Sequence, residues 1–356
     1  MLVIAGLTQK NLKPRVWDPE AIYYLPSLRG VMVSYADFHA VPTRRAKAME
    51  QGLHTYLGVP RSTRIFLDNG AFYFLGRSSV TPIKEYEEFV KWAKPDWYPI
   101  PQDYIPTPSM SLGEQRECLK RTMAANRSFE CDGFVPVIHV SRVLIEYIQE
   151  IREHDRLSSK PAIALGGIVP NLLRAPKALP YKDVIDSLWL TRDTFADKQI
   201  HVFGLGGTAT LHLAALMNFD SVDSSGWRNR AARGLVQLPG KGDRMVAELG
   251  NWRGRLPNQE ENEALRSCRC PACLQHGVEG LKSPGIDGFC NRATHNLWVL
   301  LEEVDWIGQE LAAGTYEKRY RGQLDNTIYL PLIEEALHER RKREVQGEIT
   351  VNRSLL

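Results

Sequence analysis

The sequence predicts an α/β fold, a (β/α)8 barrel that carries a metal-binding insert and C-terminal helices. Three observations lead to this prediction. Eight short apolar runs of strand type alternate with segments of helical periodicity over residues 1–226. Three closely spaced cysteines follow, and two long amphipathic patterns close the chain. A doubly wound sheet is the competing interpretation of the alternating pattern.

The composition is that of an ordinary globular protein. Of 356 residues, 43% are hydrophobic and 24% charged, which excludes a disordered, collagen-like or coiled-coil chain. The 45 basic and 42 acidic residues leave a formal net charge of +3, so bulk charge does not indicate a nucleic-acid partner. No secretory signal and no run of 18 apolar residues occurs, so a soluble, cytoplasmic protein with no membrane partner is expected.

The eight apolar runs are predicted to be parallel strands. They lie at 2–5, 30–34, 64–67, 97–101, 134–140, 162–165, 200–203 and 221–222. Helical spacing occurs between most of them, at 43–54, 82–93, 113–125, 140–154, 181–195 and 208–218. Thr81 is expected to cap the second of these helices, with Pro82 in its first turn. Strands and helices that alternate in this way are typical of a barrel with an outer ring of helices.

Three acidic residues, Asp68, Asp103 and Asp223, lie within two positions of the end of a predicted strand. Because the loops after barrel strands converge on the axis, these carboxylates are expected to share one site. The alternative for each is to cap the helix that follows. Six glycines in equivalent places leave room for a flat ligand to approach the backbone: Gly70, Gly166, Gly167, Gly204, Gly206 and Gly207.

Two carboxylates on opposite sides of a sugar can cleave a glycosidic bond. One attacks the anomeric carbon, and the other manages the proton of the leaving group. Replacement of one nucleic-acid base by another fits this scheme. Phe72, four residues beyond Asp68, can stack on a purine, although a buried core ring is the simpler role for one phenylalanine.

A structural metal site is predicted at Cys268, Cys270 and Cys273 with His295 as the fourth ligand. Three thiolates and an imidazole form a complete tetrahedral set for Zn²⁺ and leave no open position for catalysis. His295 is preferred because it opens a helical pattern that the metal can hold against the insert. Two other residues remain open as the fourth ligand because they are close in sequence: Cys290 and His276.

The chain is expected to divide into three parts. Residues 1–226 form the catalytic barrel, residues 227–296 a basic loop with the zinc-binding subdomain, and residues 297–356 C-terminal helices that pack on the barrel. Little periodicity is visible from residue 227 to residue 273. In the first terminal pattern, apolar residues recur at intervals of three and four, which predicts one buried face: Leu297, Leu300, Leu301, Val304, Ile307 and Leu311.

These motifs resemble the tRNA-guanine transglycosylase superfamily, zinc-bearing (β/α)8 enzymes that exchange a guanine in nucleic acid for a 7-deazaguanine base. The resemblance covers the chain from about residue 65 to residue 295, and it depends on the order of the motifs more than on any single one. The motifs are Asp68-Asn69-Gly70-Ala71-Phe72, Gln102-Asp103, Ala164-Leu165-Gly166-Gly167-Ile168, Gly204-Leu205-Gly206-Gly207, Phe219-Asp220-Ser221-Val222-Asp223-Ser224, and Cys-x-Cys-x-x-Cys with a downstream His.

The resemblance implies a role for each matching residue. Asp223 corresponds to the nucleophile that bonds to C1′, and Asp68 to the general acid and base. The implied contacts to the base are the carboxylate of Asp103 at its Watson–Crick edge, the stacked ring of Phe72, and two backbone positions, Gly167 and Ile168.

His139 stands where the superfamily has Gln, so recognition of the base is expected to differ at this position. A core histidine with satisfied hydrogen bonds is the alternative for this residue.

The segment after Asp223 departs from the tRNA-modifying members, which carry Pro-Thr-Arg there. This chain has Ser-Ser-Gly-Trp-Arg-Asn-Arg-Ala-Ala-Arg-Gly at 224–234. The whole pattern is more similar to the DNA-modifying branch, the DpdA-type enzymes that insert 7-cyano-7-deazaguanine into DNA. The resemblance therefore implies a DNA-guanine transglycosylase, with a tRNA-guanine transglycosylase, a non-catalytic nucleic-acid-binding subunit and a retaining glycoside hydrolase as alternatives.

Local charge favours a polyanionic partner. Between residues 227 and 255 there are seven basic and two acidic residues. Interleaved tryptophans would complete a groove that neutralises phosphates and stacks an unpaired base. A solvated arginine-rich loop is the alternative. The residues predicted to contact nucleic acid are Trp227, Arg228, Arg230 and Arg233.

The expected partners follow from this interpretation. They are DNA, with tRNA as the alternative, and a free 7-deazaguanine base. Chemistry at C1′ in a duplex requires the nucleotide to leave the stack, so helper proteins that open DNA are a further expectation. The resemblance also implies a homodimer formed through the zinc region.

Overall fold

The computed structural model describes residues 1–75, 81–101, 105–324 and 328–346. The strands in these residues are β1 (Leu2–Gly6), β2 (Gly30–Ser34), β3 (Arg64–Asp68), β4 (Val137–His139), β5 (Ala162–Gly166), β6 (Gln199–Val202), β7 (Ser221–Ser224), β8 (Leu235–Leu238) and β9 (Gly242–Met245). The helices up to β7 are α1 (Tyr35–His39), α2 (Pro42–Gln51), α3 (Leu53–Leu57), α4 (Ala71–Leu75), α5 (Ile83–Ala93), α6 (Leu112–Ser128), α7 (Leu144–Glu153), α8 (Asp155–Ser158), α9 (Ile168–Leu172), α10 (Tyr181–Thr194) and α11 (Thr208–Leu216). The helices after β7 are α12 (Gly226–Ala232), α13 (Gln259–Arg266), α14 (Pro271–Lys282), α15 (Gly285–Ala312), α16 (Tyr316–Gln323) and α17 (Leu330–Gln346).

Seven parallel strands form one curled sheet in the order β3-β2-β1-β7-β6-β5-β4. The register pairs Ser34 with Asp68 at the carboxyl ends of β2 and β3, and Ile4 with Asp223 between β1 and β7. Parallel strands connected through helices are buried on both faces, which explains the nearly continuous apolar runs of β1, β2 and β5. The fold is therefore the predicted α/β class, with its loops after the strands gathered at one edge.

One of the eight predicted strands, the fourth along the chain at 97–101, does not form as a regular strand, which corrects the barrel prediction. Its residues make two isolated parallel bridges, Trp97 with Phe66 of β3 and Pro99 with Val135 just before β4. Pro99 and Pro101 have no N–H to donate, so a regular ladder cannot form along this segment. The sheet is a seven-stranded curled sheet consistent with a barrel-like fold, without a complete eighth strand in the residues described.

The helices between the strands occur where the periodicity predicts them, with shifted ends. Gly52, at φ 75°, separates α2 from α3 where the spacing predicts one helix over 43–54. Pro82 directly precedes α5 as its N-cap and makes no side-chain cap, whereas the sequence predicts Thr81 at the cap and Pro82 in the first turn. None of the described helices has the length and apolar character needed to cross a bilayer.

The region after β7 is more regular than the sequence predicts. It contains α12, the antiparallel hairpin of β8 and β9, and α13, where little periodicity is visible. The predicted boundary at 296/297 falls inside α15, a single helix of 28 residues. Leu297, Leu300 and Ile307 of that helix are buried in the main core, which confirms the predicted apolar face. The metal-binding region and the terminal helices therefore share one continuous helix.

A buried polar cluster attaches α15 to the barrel. His212 of α11 lies with Nε2 2.7 Å from Glu303 Oε1 and Nδ1 2.7 Å from the Tyr316 hydroxyl. The backbone N–H of Gly240, in the β8–β9 turn, donates to Glu303 Oε2 at 2.9 Å. Because each of these buried polar groups has a partner, the cluster fixes the terminal helices without leaving an unsatisfied charge.

Candidate active site and metal cluster

The carboxyl ends of the strands surround a cavity of about 330 Å³, here called the base cavity. Asp68 from β3 and Asp223 from β7 both line it. These strands are separated by β2 and β1 in the sheet, so the curvature of the sheet brings their ends to one cavity. Other predicted site residues also line it: Phe72, His139 and Gly167. The cavity volume is in the range usual for small-molecule sites.

Asp68 is a half-buried residue whose carboxyl group has a raised pKa. Burial is the largest cause, and the charge of Asp223 acts in the same direction. The Ser34 hydroxyl donates to Asp68 Oδ2 at 2.8 Å and the Gly70 N–H at 3.0 Å, and these two bonds oppose the rise. A carboxyl group whose pKa is raised by burial keeps its proton to higher pH, which suits a general acid.

Asp223 is held at the end of β7 by the backbone of the loop after β6. The Gly204 N–H donates to Asp223 Oδ1 at 2.8 Å. A Cβ atom at Gly206 would lie 2.3 Å from the backbone oxygen of Asp223, so only glycine fits there. The close packing of this loop orients one carboxylate oxygen, while the residue still lines the cavity.

His201 on β6 is a site residue that the sequence reasoning missed. Its Nε2 lies 3.6 Å from Asp223 Oδ1, and its Nδ1 lies 2.9 Å from the Ser221 hydroxyl. The ring is 3% exposed and packs between Trp97 and Phe203. The sequence does contain a sign of this role, because His201 is the one polar residue in the apolar run 200–203. Since side chains alternate along a strand, His201 lies on the opposite face of β6 from Ile200 and Val202.

Two of the predicted base contacts have contrasting environments. Phe72 is 73% exposed, so its ring is free to stack on a ligand in the cavity. His139 is fully buried, and neither ring nitrogen has a hydrogen-bond partner among the residues described. Burial lowers the pKa of His139 to about 3, so the ring is neutral, with one donor and one acceptor. The expected alternative, a satisfied core histidine, does not fit these facts.

Of the remaining predicted base contacts that the structure describes, Gly167 lines the cavity and Ile168 does not. Gly167, at φ 76°, lines the cavity, whereas the side chain of Ile168 is fully buried. Asp103 lies outside the described residues.

The structure corrects two of the predicted nucleic-acid contacts. Trp227 is fully buried, and its indole N–H donates to the Gly6 carbonyl at 3.1 Å. Arg228 is 6% exposed and donates to the carbonyl oxygens of Asn11 and Lys13, each at 2.6 Å. Both side chains hold α12 against the amino-terminal segment, so they offer no surface to a polyanion.

Most of the arginine-rich run is also internally paired. Arg244 is buried against Glu261, and Arg230 donates through Nε to Asp243 at 2.7 Å. Arg233 is exposed, with its guanidinium 4.2 Å above the half-exposed ring of Trp252. The continuous basic groove that the sequence predicts is therefore reduced to Arg233, its neighbours at 252–255, and a partly exposed Arg230.

Basic side chains that the sequence analysis did not select lie beside the cavity, on the loops after β4 and β5. Arg142 and Lys177 line a small cleft together, and Arg174 lies 5.2 Å from the ring centroid of Tyr181. These loops belong to the same edge of the sheet as Asp68 and Asp223, so they add positive charge at that edge.

The four predicted metal ligands come together where the connection from α13 to α14 and the first turn of α14, which carry the cysteines, meet His295 of α15. The Sγ atoms of Cys268, Cys270 and Cys273 lie 3.4, 3.7 and 3.5 Å from His295 Nδ1. Ideal tetrahedral zinc, with its usual bond lengths, places sulfur and nitrogen ligands about 3.6 Å apart. The donor set therefore fits a metal ion such as Zn²⁺.

The surroundings of the cluster also suit a metal. His295 Nε2 lies 2.9 Å from the Gln237 carbonyl of β8, which fixes the proton on Nε2 and directs the Nδ1 lone pair at the sulfurs. Hydrogen bonds from Cys270 and Cys273 hold the pKa of the Cys268 thiol well below its usual range. Cys290 and His276 are not part of the cluster found among the described residues.

Comparisons with known proteins find distantly similar enzymes. The chain is 27% identical over 278 residues to the tRNA-guanine(15) transglycosylases of Pyrococcus abyssi and Pyrococcus furiosus, matches that cover 76% of this chain and 43% of each relative. It is 24% identical over 282 residues to the same enzyme of Methanopyrus kandleri, which covers 76% of this chain and 55% of that protein.

These comparisons cover only part of each relative. The chain spans about half the length of the curated relatives that it matches, and no family model matches it. The matches support a distant relationship to the tRNA-guanine transglycosylase superfamily.

Proposed function

We propose that this protein is a nucleic-acid guanine transglycosylase that replaces a guanine base by a free 7-deazaguanine. The observation that carries the proposal is the pairing of two carboxyl groups in one cavity. Asp68 has a pKa raised by burial, and Asp223 is held through one oxygen by the Gly204 N–H. Two carboxyl groups in different environments are the requirement for glycosyl transfer by double displacement.

In the first step, Asp223 attacks C1′ of the target nucleoside as the bond from C1′ to the guanine nitrogen breaks. Asp68 gives its proton to the departing guanine, which leaves as a neutral base. In the second step Asp68 takes a proton from the incoming base, whose nitrogen attacks C1′ and releases the Asp223 carboxylate. Two inversions at C1′ give net retention.

The base cavity is expected to hold both bases in turn. Phe72 stacks on the purine, and the backbone at Gly167 approaches its edge. His139 supplies one neutral donor or acceptor where the superfamily has a glutamine, so it is the residue through which the choice of base can differ. The four-residue metal cluster lies in the region of β8 and α15, and zinc bound there would fix that region without entering the chemistry.

tRNA is the polymer substrate that the comparisons favour, because the relatives matched over 76% of this chain are named as tRNA-guanine(15) transglycosylases. DNA is the second candidate. The observation in its favour is the segment at 224–234, which departs from the pattern of the tRNA-modifying members directly beside Asp223.

The test is to incubate the protein with radiolabelled guanine and, in separate reactions, with unmodified tRNA, single-stranded DNA or duplex DNA. Label in tRNA alone supports the first candidate, and label in DNA alone supports the second. Label in none of the three contradicts the transglycosylase proposal, provided that the covalent intermediate is also absent.

That intermediate is measured directly as a protein–nucleic acid adduct that survives denaturation. The adduct should form with the wild type and disappear in Asp223→Asn, which keeps the size of the side chain and removes its nucleophilic charge. Asp220→Asn is the matched control, since the Asp220 carboxylate accepts from the Ile200 N–H and pairs with Arg192 away from the cavity. An adduct that persists in Asp223→Asn would assign the nucleophile to another residue.

A further inference from the structure

A second cavity adjoins the base cavity across Asp223. It has a volume of about 210 Å³ and lies between the loop after β6, the start of α12, and Tyr329 ahead of α17. The two cavities share four residues, Val169, Gly204, Asp223 and Ser225. A group bound in the second cavity would therefore lie next to Asp223, in a space that adjoins the base cavity.

Several hydrogen-bond donors line the second cavity, together with the apolar side chains of Val169, Leu172 and Leu173. Ser224 is 4% exposed and lines it, and its hydroxyl makes no hydrogen bond to any residue in the described part of the chain. The guanidinium of Arg230 also lines it, and its Nη1 atom lies against the backbone of Gly226. Asp243 engages Arg230 through Nε at 2.7 Å, which orients the guanidinium.

The third set of donors comes from α11. This nine-residue helix begins at Thr208, directly after Gly206 and Gly207, which line the cavity. The Gly207 N–H donates to Thr210 Oγ1 at 3.0 Å, and the next amides of the first turn have no backbone partner within the helix and carry the positive end of its dipole. An arginine, an unpaired buried hydroxyl and a helix amino terminus in one cavity together form a site for an oxyanion.

The position in the fold agrees with this chemistry. The segment at Trp97 lies between β3 and β4 in the chain and bridges to both sides. When it is counted as the fourth strand of a barrel, β6 is the seventh strand and β7 is the eighth. In (β/α)8 enzymes, phosphate groups frequently bind at the loops that follow these two strands.

We infer that the second cavity binds a phosphodiester of the polynucleotide, the one next to the nucleotide whose base occupies the base cavity. The inference rests on the proposed function. The phosphates of a nucleotide are attached to its sugar and point away from the base, so a sugar placed over Asp223 directs one phosphate toward Arg230 and Ser224. Arg230 is thereby a contact to the backbone, which positions the substrate without reading its sequence.

The experiment measures binding, so it does not depend on turnover. The probes are fluorescein-labelled RNA and DNA hairpins with a single guanosine in the loop, and copies in which the linkage on its 5′ or 3′ side is a neutral methylphosphonate. One neutral linkage should weaken binding to the wild type roughly 10-fold, the value of a charge-assisted hydrogen bond. In Arg230→Gln the same replacement should have no further effect, and in Ser224→Ala the effect should be reduced.

Arg61→Gln is the matched control, because Arg61 is exposed in the turn before β3, at the opposite end of the sheet. It should retain the full methylphosphonate effect. An equal effect in Arg230→Gln and in the wild type would overturn the inference, as would no effect of either linkage in the wild type.

A second readout separates this inference from the proposed function. If neither hairpin binds the wild type, the melting temperature is measured in inorganic phosphate and in chloride at equal ionic strength. A phosphate-dependent rise in the wild type and in Arg61→Gln, lost in Arg230→Gln, would retain the oxyanion site while the transglycosylase proposal fails. An equal rise in all three proteins reflects general salt stabilisation and would overturn the site.

Discussion

His201 Nε2 lies 3.6 Å from Asp223 Oδ1, and the other nitrogen of the same ring lies 2.9 Å from the Ser221 hydroxyl. In the tautomer in which the Ser221 hydroxyl donates to Nδ1, the ring proton is on Nε2, on the side that faces the Asp223 carboxylate. The Gly204 N–H donates to the same oxygen at 2.8 Å. Both contacts fall on Oδ1, so in the proposed reaction Oδ2 is the oxygen available to attack C1′.

The first prediction concerns this contact. His201→Phe keeps the ring between Trp97 and Phe203 but removes the donor. We expect adduct formation to slow on the order of 100-fold, the usual cost of a misoriented reacting group, with little change in the KM for the free base. His201→Gln restores a donor and should recover part of the rate. Equal rates in the Phe and Gln variants would show that the role of His201 is packing alone.

The second prediction concerns Asp68 and pH. Since the protonated form is the acid, the rate of adduct formation should fall as pH rises through the raised pKa of Asp68. Asp68→Asn should lower the rate of adduct formation roughly 100-fold or more and abolish this fall of the rate at alkaline pH. The pH–rate profile of single-turnover adduct formation measures both effects, and an unchanged alkaline limb in the variant would assign it to another group.

Stability gives an independent check on Asp68. A raised pKa means that the folded state binds the proton more tightly, so stability is lost as pH rises from the usual value of 3.8 through the raised value. Asn cannot ionise and avoids this loss. The melting temperature of Asp68→Asn minus that of the wild type should therefore increase with pH across this window.

The third prediction concerns His139. Its pKa is about 3 in the folded protein against a usual 6.5, so unfolding takes up a proton between these values and stability falls as pH drops. The advantage of the wild type over His139→Gln in melting temperature should shrink from about pH 7 to about pH 4. The same variant should change the ratio of KM values for guanine and 7-deazaguanine, because the ring lines the base cavity. Unchanged KM ratios would separate the ring from base recognition.

The fourth prediction concerns the metal cluster. Chelation, or Cys270→Ser, should lower the melting temperature by roughly 5 °C or more, because His295 and the cysteines connect β8 to α14 and α15. Cys290→Ala is the control, since Cys290 is buried outside the cluster. Elemental analysis should find bound zinc in the control and none in Cys270→Ser. A melting temperature that does not respond to chelation would exclude a structural metal.

The fifth prediction separates structural from surface arginines. Arg228→Ala should destabilise the fold by about 2–4 kcal/mol, because two backbone carbonyls lose their buried donor. Arg233→Ala, at an exposed position, should change the free energy of unfolding by less than about 0.5 kcal/mol. Denaturant unfolding of the two variants provides the comparison, and similar losses in both would contradict the buried role of Arg228.

Much of the fold and part of the site are determined by the sequence alone. Short apolar runs set the parallel strands because a strand covered on both faces needs apolar residues at every position. The spacing of three cysteines is short enough to bring their sulfurs together within one turn, so the metal cluster is visible without a structure. Asp68 and Asp223 could be selected because each follows a strand directly.

Tertiary structure alone decided the rest. Trp227 and Arg228 are residue types that a nucleic-acid-binding surface uses, so the sequence alone predicts them to be exposed. Only the packing of α12 on the amino-terminal segment shows that both side chains are internal. The contact of His201 with Asp223 joins residues on neighbouring strands, and their register is set by hydrogen bonds between β6 and β7. The local sequence determines which residues are apolar and which carry reactive or hydrogen-bonding groups. The distance between residues far apart in the chain depends on how the whole sheet curves and packs.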